Sequence, residues 1–309
     1  MSVPTRTIRV AAIQAAPALL DLEASLDRLD QWTRKAAGQG AKLAAFGETW
    51  LTGYPAWLDE SPGAALWGHA GAKAVWERLF TSAVEVGGPA TRRIAALAKE
   101  LALAIVVGVH EREGRTLFNS QLIFAPDGTL AHRHRKLMPT YHERLIWGLG
   151  NGDDLKAVEV AGAQVGGLVC WEHWMPLARQ AMHNAGEEIH VAGWPSVQDM
   201  HQVASRGYAF EGRCFVLAVG SLLRVRDLPA ELPPRPEKSN PDDYLVRGGS
   251  VIIAPSGKLL AGPVFDEETV LVADCDLGEI TRESLTLDVS GHYSRPDVFD
   301  FRVRSARGD

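Results

Sequence analysis

The sequence is poor in cysteine. Its 309 residues include three, Cys170, Cys214 and Cys275. An odd number at wide spacing reads neither as a disulfide framework nor as a CxxC metal site. No uninterrupted apolar run is long enough to span a bilayer, so no membrane association is expected. The opening residues, MSVPTRTIRV, lack the apolar core of a signal peptide. There is no basic block, zinc-finger spacing or recognition-helix signature, and the formal net charge is −6. No nucleic-acid partner is expected. A G-x-S-x-G elbow is missing, which argues against a serine hydrolase built on one. These absences leave the expectation of a cytoplasmic globular protein.

What is present is an ordinary globular mixture, 46% hydrophobic and 23% charged, able to bury a sizeable core. Residues 8–16 read as a buried strand. Residues 21–40 read as an amphipathic helix, with Leu22, Leu26, Leu29 and Trp32 at helical spacing and Gly38 and Gly40 at its end. A strand over 41–48 follows, then helices near 72–84 and over 88–102. Strands are expected at 103–113, 117–125 and 129–136, the last two joined by the turn signal PDG. Further strands are expected near 156–160, 164–170, 188–193 and 214–220, with helices near 176–186 and 199–212. IFAPDGTL (123–130) and IIAPSGKL share strand–turn–strand chemistry, which suggests two sheets of related build. The segment 226–243, rich in proline and charge, reads as a surface excursion. Strands and helices mixed in this way, with no dinucleotide fingerprint, indicate an α+β or layered α/β fold.

Three polar residues end apolar runs. Cys170 closes GGLVC, and core residue, metal ligand and nucleophile are all open readings. A nucleophilic thiol needs a base or a neighbouring positive charge. Glu48 follows a buried strand, where a carboxylate is costly unless paired or functional. It is either exposed at the strand end or part of a site. Trp50, Tyr54 and Trp57 follow it and look like a pocket wall. Lys136 ends a hairpin strand and is followed by Leu137, Met138 and Pro139. It is either solvated or partly buried and paired with Glu143. Cys170, Glu172 and His173 are potential metal ligands, but no second cluster sits at zinc-like spacing, so no metal is expected. Cys214 and Cys275 read as core. His69, His110, His132, His134, His183, His190 and His201 read individually as structural or exposed.

Taken together, FGETWLTGYP, HRKLMPTYHERLIWGLGNG and GGLVCWEHWMPLAR resemble the Glu, Lys and Cys motifs of the nitrilase (carbon–nitrogen hydrolase) superfamily, in that family's order. CWEHWMPLARQAMHNAGEEIHVAGWP resembles the true nitrilase branch, and GHYSRPDVF (291–299) a C-terminal segment of it. Gly47 departs from the pattern, since many relatives have proline there. The resemblance implies a four-layer α-β-β-α sandwich, a single domain over 1–309, and no metal or organic cofactor. It implies a homodimer that buries helices of both subunits, often extended into larger spirals. A tail from about 285 is expected to dock at the subunit interface. It implies Cys170 as nucleophile, Glu48 as general base, Lys136 as the cation beside the developing charge and Glu143 as an additional glutamate. Tyr54, Trp57, Trp171 and Trp194 are expected to contact substrate. The implied reaction takes an aliphatic or arylaliphatic nitrile and water to acid and ammonia, through a cysteine thioimidate and thioester. A cyanide-degrading enzyme or an amidase would use the same residues. A non-catalytic assembly protein on this fold is the alternative of another class.

Overall fold

Period-two apolar strands and helices of period 3.6 alternate along the chain, and each type buries differently. The structure, a computed structural model, describes residues 6–304. The elements run β1 (Thr7–Gln14), α1 (Leu22–Gly38), β2 (Leu43–Ala45), α2 (Trp57–Glu60), α3 (Ala70–Thr81) and α4 (Pro89–Leu101). Next come β3 (Ala104–Glu113), β4 (Thr116–Phe124), β5 (Leu130–Arg135), β6 (Val158–Val160), β7 (Ala163–Val169) and α5 (Pro176–Asn184). Then follow β8 (Ile189–Gly193), α6 (Asp199–Gly212), β9 (Phe215–Val219) and β10 (Leu222–Arg224). The series ends with β11 (Tyr244–Ile253), β12 (Leu259–Phe265), β13 (Thr269–Asp276) and α7 (Gly278–Ser284).

Two sheets result. One has the order β13-β1-β2-β3-β4-β5; the other runs β10-β11-β9-β8-β7-β6, with β12 paired to β11. Successive strand residues point to opposite faces. Val10, Ala12, Ala104 and Val106 meet Val165, Val191, Phe215 and Leu217 between the sheets. Their neighbours Ala11, Ile13, Ile105 and Val107 face outward under Leu26, Leu29 and Trp32 of α1 and Ile94 and Leu97 of α4. On the far side, Ala192, Val216 and Ala218 are covered by Ala178 and Met182 of α5 and Tyr208 and Ala209 of α6. The chain is therefore a four-layer α-β-β-α sandwich.

The two related hairpins fall one in each sheet. Ala125 N donates to Thr129 O at 2.8 Å, and Ala254 N to Lys258 O at 2.8 Å. β1 is closed on its outer side by β13, antiparallel, with Thr7 opposite Asp276 and Gln14 opposite Thr269. The strand expected over 41–48 is shorter. Phe46 N still bonds Val106 O, but the chain then leaves the sheet and Glu48 N reaches Trp194 O at 3.3 Å. The 226–243 excursion is largely exposed but anchored. Leu228 and Leu232 are buried, and Arg235 N donates to Glu60 O at 3.0 Å. After α7 the tail runs over the surface, with Ser290 donating to Asn184 Oδ1 and Arg213 to Leu287 O. Its last residues, 305–309, lie outside the described residues, as do 1–5.

Candidate active site

The tips of β2, β5 and β7 converge, and two sheets thereby share one site. Glu48 lies three residues past β2. There the backbone passes so close to β3 that a Cβ on Gly108 would stand 2.4 Å from Gly47 O. Gly47 is itself confined, since a Cβ on it would lie 2.9 Å from Trp194 O. Lys136 extends the β4–β5 ladder by one bond, its N donating to Asn119 O at 2.8 Å. Cys170 is the first residue after β7 and has φ 53°. A non-glycine residue with positive φ stores about 1–3 kcal/mol of strain and persists only where its surroundings hold it. Part of that hold is Glu172. Its carboxylate accepts from Val169 N and Leu137 N, each at 2.7 Å, and pairs with His134 Nε2 at 2.8 Å. One side chain thus ties the Cys170 elbow to the Lys136 segment.

Lys136 Nζ donates to Glu48 Oε1 at 2.8 Å and to Glu143 Oε2 at 2.7 Å, all three groups being buried. Asn119 Nδ2 adds a second bond to Glu48 Oε1 at 2.6 Å. Glu48 Oε2 has no partner among the described residues. Glu143 is steadied by Thr140 N at 2.7 Å and by the Tyr54 hydroxyl at 3.0 Å. Cys170 Sγ and an oxygen from each of Glu48 and Glu143 lie within 4.8 Å of one another. These atoms include metal-ligating types, but the Lys136 ammonium, bonded to both glutamates, already supplies a positive charge there.

Burial sets the proton balance. It pushes the Glu48 carboxyl up to about 7, Lys136 opposing and Glu143 adding to the rise. Burial alone would lower Lys136, but the charges of Glu48, Cys170 and Glu143 outweigh it and hold it above its ordinary value. Burial and the adjacent Glu48 push the Cys170 thiol well above its usual range, although Lys136 acts the other way. At rest Cys170 is therefore a thiol, and an attack on carbon requires removal of its proton. Glu48 is placed for that and half ionised near neutrality, where a general base is most effective.

Cys170, Glu143, Tyr54 and Trp171 line a cavity of about 510 Å³, with Tyr141, Asp59, Glu60 and His201 around them. Two of the expected wall residues are elsewhere. Trp57 shares α2 with Asp59 and Glu60 but sits on its other face, lining a separate cavity of about 280 Å³ with Trp67 and Trp76. Trp194 is fully buried and stacks on His173 and His201. Aromatic identity does not say which face of an element a residue occupies. Asn119 and Glu172 escaped the sequence reading. Asn119 had a visible signal, a polar residue inside the apolar strand LFNSQLIF. Glu172 was read only for metal binding, whereas it holds His134 and two backbone amides.

A family model described as carbon-nitrogen hydrolase matches residues 9–282. The aliphatic nitrilase of Sinorhizobium fredii (strain HH103) is 40% identical over 300 residues, covering 96% of this chain and 95% of the relative. The bifunctional nitrilase/nitrile hydratase NIT4A of Lupinus angustifolius is 39% identical over 305 residues, covering 96% and 86%. Among solved structures, a carbon-nitrogen hydrolase from Helicobacter pylori G27 superposes with a TM-score of 0.72 at 17% identity, covering 95% of this chain and 97% of that one. With the fold, the matched span and these identities in agreement, the chain belongs to the carbon–nitrogen hydrolase family.

Proposed function

We propose that this chain hydrolyses organic nitriles to carboxylic acid and ammonia, with Cys170 as nucleophile, Glu48 as general base and Lys136 as electrostatic partner. The observation that carries the reading is a buried lysine bonded to two glutamates, beside a cysteine on a strained elbow that lines a cavity. The names of the relatives supply the substrate class. Cys170 Sγ adds to the nitrile carbon as Glu48 takes the thiol proton. That proton passes to the nitrogen, where negative charge builds beside Lys136. A preorganised donor of this kind is worth about 2.7–4 kcal/mol in other enzymes. The product is a thioimidate. Water, deprotonated by Glu48, adds to it. Ammonia leaves, and a thioester remains for a second water to cleave.

Glu143 anchors Lys136, and Tyr54 anchors Glu143. Tyr54 and Trp171 form walls suited to an aliphatic or arylaliphatic side chain. If the tetrahedral intermediate expels the thiol instead of ammonia, the product is an amide. The bifunctional nitrilase/nitrile hydratase names of plant relatives favour some of this partition. The reading includes a cytoplasmic homodimer formed through α5 and α6. Exposed Leu177, Met200, Val203 and Phe210 support it by giving that face an apolar surface. The exposed Leu285, Tyr293 and Phe299 of the tail suit the same interface. No described helix is long and apolar enough to cross a membrane.

The test is ammonia release from phenylacetonitrile, mandelonitrile, benzonitrile, an aliphatic dinitrile, cyanide and matching amides. Release from organic nitriles is expected. Turnover of cyanide or amides alone would overturn the nitrile assignment.

The pH profile follows from Glu48. Only its carboxylate form accepts a proton, and with a pKa near about 7 that fraction grows as pH rises through neutrality. kcat/KM should rise about tenfold per unit on the acid side of neutrality. Because Glu48, Glu143 and Cys170 interact, the midpoint belongs to the cluster. Glu48→Gln should lower kcat by roughly 10²–10⁴-fold and erase this limb. An unchanged profile would remove Glu48 as the base.

A further inference from the structure

Behind the elbow lies a buried polar chain that the reaction above does not use. His173 Nδ1 is 2.6 Å from the carbonyl oxygen of Cys170. His173 Nε2 is 2.9 Å from His190 Nε2, and His190 Nδ1 is 2.8 Å from Glu187 Oε2. The Tyr208 hydroxyl donates to Glu187 Oε1. All four side chains are buried.

The protons in this chain can be counted. A carbonyl oxygen only accepts, so His173 Nδ1 carries a proton. Burial and the neighbouring His190 hold the His173 pKa down at about 3, so the ring is neutral and its Nε2 is bare. His190 Nε2 must then donate to it. Burial, aided by His183 and His134, holds His190 well below its ordinary value, so its Nδ1 is bare in turn. Two lone pairs facing each other at hydrogen-bond distance repel. The proton between His190 and Glu187 therefore sits on Glu187. Burial pushes that carboxyl up to about 7, against His183 and Tyr208.

We propose that protonated Glu187 is a positioning residue for the nucleophile: through His190 and His173 it holds the Cys170 carbonyl, and the hold fails when Glu187 ionises. The proposal rests on Cys170 being the nucleophile. Its physical need is the positive φ of Cys170, a conformation that relaxes unless its peptide is fixed.

Among the described residues, no other group facing Glu187 replaces that proton. From α5, His183 Nδ1 is 4.0 Å from Oε1, and from α6 comes Tyr208, whose hydroxyl already donates to that same oxygen. The Cys214 thiol, just before β9, is held neutral by burial. The packed residue of β7 is Gly166, which has no side chain. Beyond His183, Glu211 lies 3.9 Å from its Nε2 and is paired with Arg179. On the far side of His190, His134 and Glu172 are committed to each other. Lys136, Cys170 and Tyr54 are all held above their ordinary values, so none of them loses a proton at mildly alkaline pH.

The experiment measures kcat and KM against pH for the full chain and for Glu187→Gln and Glu187→Leu. Wild-type kcat should fall on the alkaline side. A glutamine amide donates to His190 Nδ1 and accepts from Tyr208 at every pH. Glu187→Gln should thus keep kcat within about threefold and lose the alkaline fall, while Glu187→Leu should lose about tenfold or more in kcat with KM little changed. Glu187→Gln as impaired as Glu187→Leu, or an alkaline fall that persists in it, would overturn the proposal. If Glu187→Leu does not fold, the glutamine variant decides alone. Alkylation of Cys170 by iodoacetamide, followed by peptide mass, needs no nitrile and should show the same pattern. Equal alkylation in all variants overturns the hold, whereas failure to turn over nitriles overturns only the proposed reaction.

Discussion

Cys170→Ala is expected to abolish ammonia release from nitriles, by roughly 10⁴-fold or more, and to leave the fold intact. The two halves of this result have separate causes. Alanine keeps the Cβ, so the packing against Val169 and Trp194 in that core cluster loses one sulfur and opens only a small gap. It also meets the same backbone cost at φ 53°. The Glu172 bonds that hold the elbow come from backbone N–H groups and His134, none of which needs the thiol. The chemistry has no such reserve. Without Sγ, water would have to attack the nitrile directly, and the covalent route is gone. Circular dichroism melting beside an ammonia assay separates the two effects. Turnover close to wild type would place the nucleophile elsewhere.

Lys136→Leu should damage the fold as well as the chemistry, because it removes both a charge and its structural role. Glu48 and Glu143 would be left buried without their cation. Breaking such a pair from one side costs about 3–5 kcal/mol. Part of that cost is escaped by protonation, which would push the Glu48 carboxyl further up. A folded-state pKa raised above the unfolded value stabilises the fold at low pH, and this stability fades as pH rises toward the folded pKa. The variant should therefore be more stable in urea at pH 5 than at pH 8. Turnover should drop by at least about 10²–10³-fold at any pH. Lys136→Arg keeps the charge, yet the site is lined closely by Asn119, Glu48, Glu143 and the Trp147 ring, whose centroid is 5.9 Å from Nζ. A planar guanidinium does not fit the place of an ammonium there, and activity should fall about as far. Normal activity in the arginine variant would show that charge alone suffices.

Much of this is legible in the sequence alone. Hairpins announced themselves by their turns, and α1 by the spacing of Leu22, Leu26, Leu29 and Trp32. Glu48, Lys136 and Cys170 stood out as polar residues at the ends of apolar runs. Their meeting was legible only through the family resemblance, because it depends on how two sheets stack: β2 and β5 belong to one, β7 to the other. Asn119 shows in the sequence as a polar residue inside an apolar strand, but its partner Glu48 lies on a different segment and is not legible from that strand. Trp57 and Trp194 show the limit of residue type as a guide. Each is apolar and near the site in sequence, and each turns its ring into a different packing environment. The histidines show it again. Read singly, His190 looks structural and His173 like a potential metal ligand, yet the two form a chain whose order only the fold reveals.

The pairing of β1 with β13 has a consequence for synthesis. β1 leaves the ribosome long before β13 does. At about 5–20 residues per second, the interval between them is on the order of tens of seconds. Through that interval Val10, Ala11 and Ala12 can pair with β2 but have an open edge on the other side. An open apolar edge is what invites pairing with a foreign chain. The nascent protein thus carries an open edge at β1 until β13 emerges, and the pairing of the two is the event that seals it.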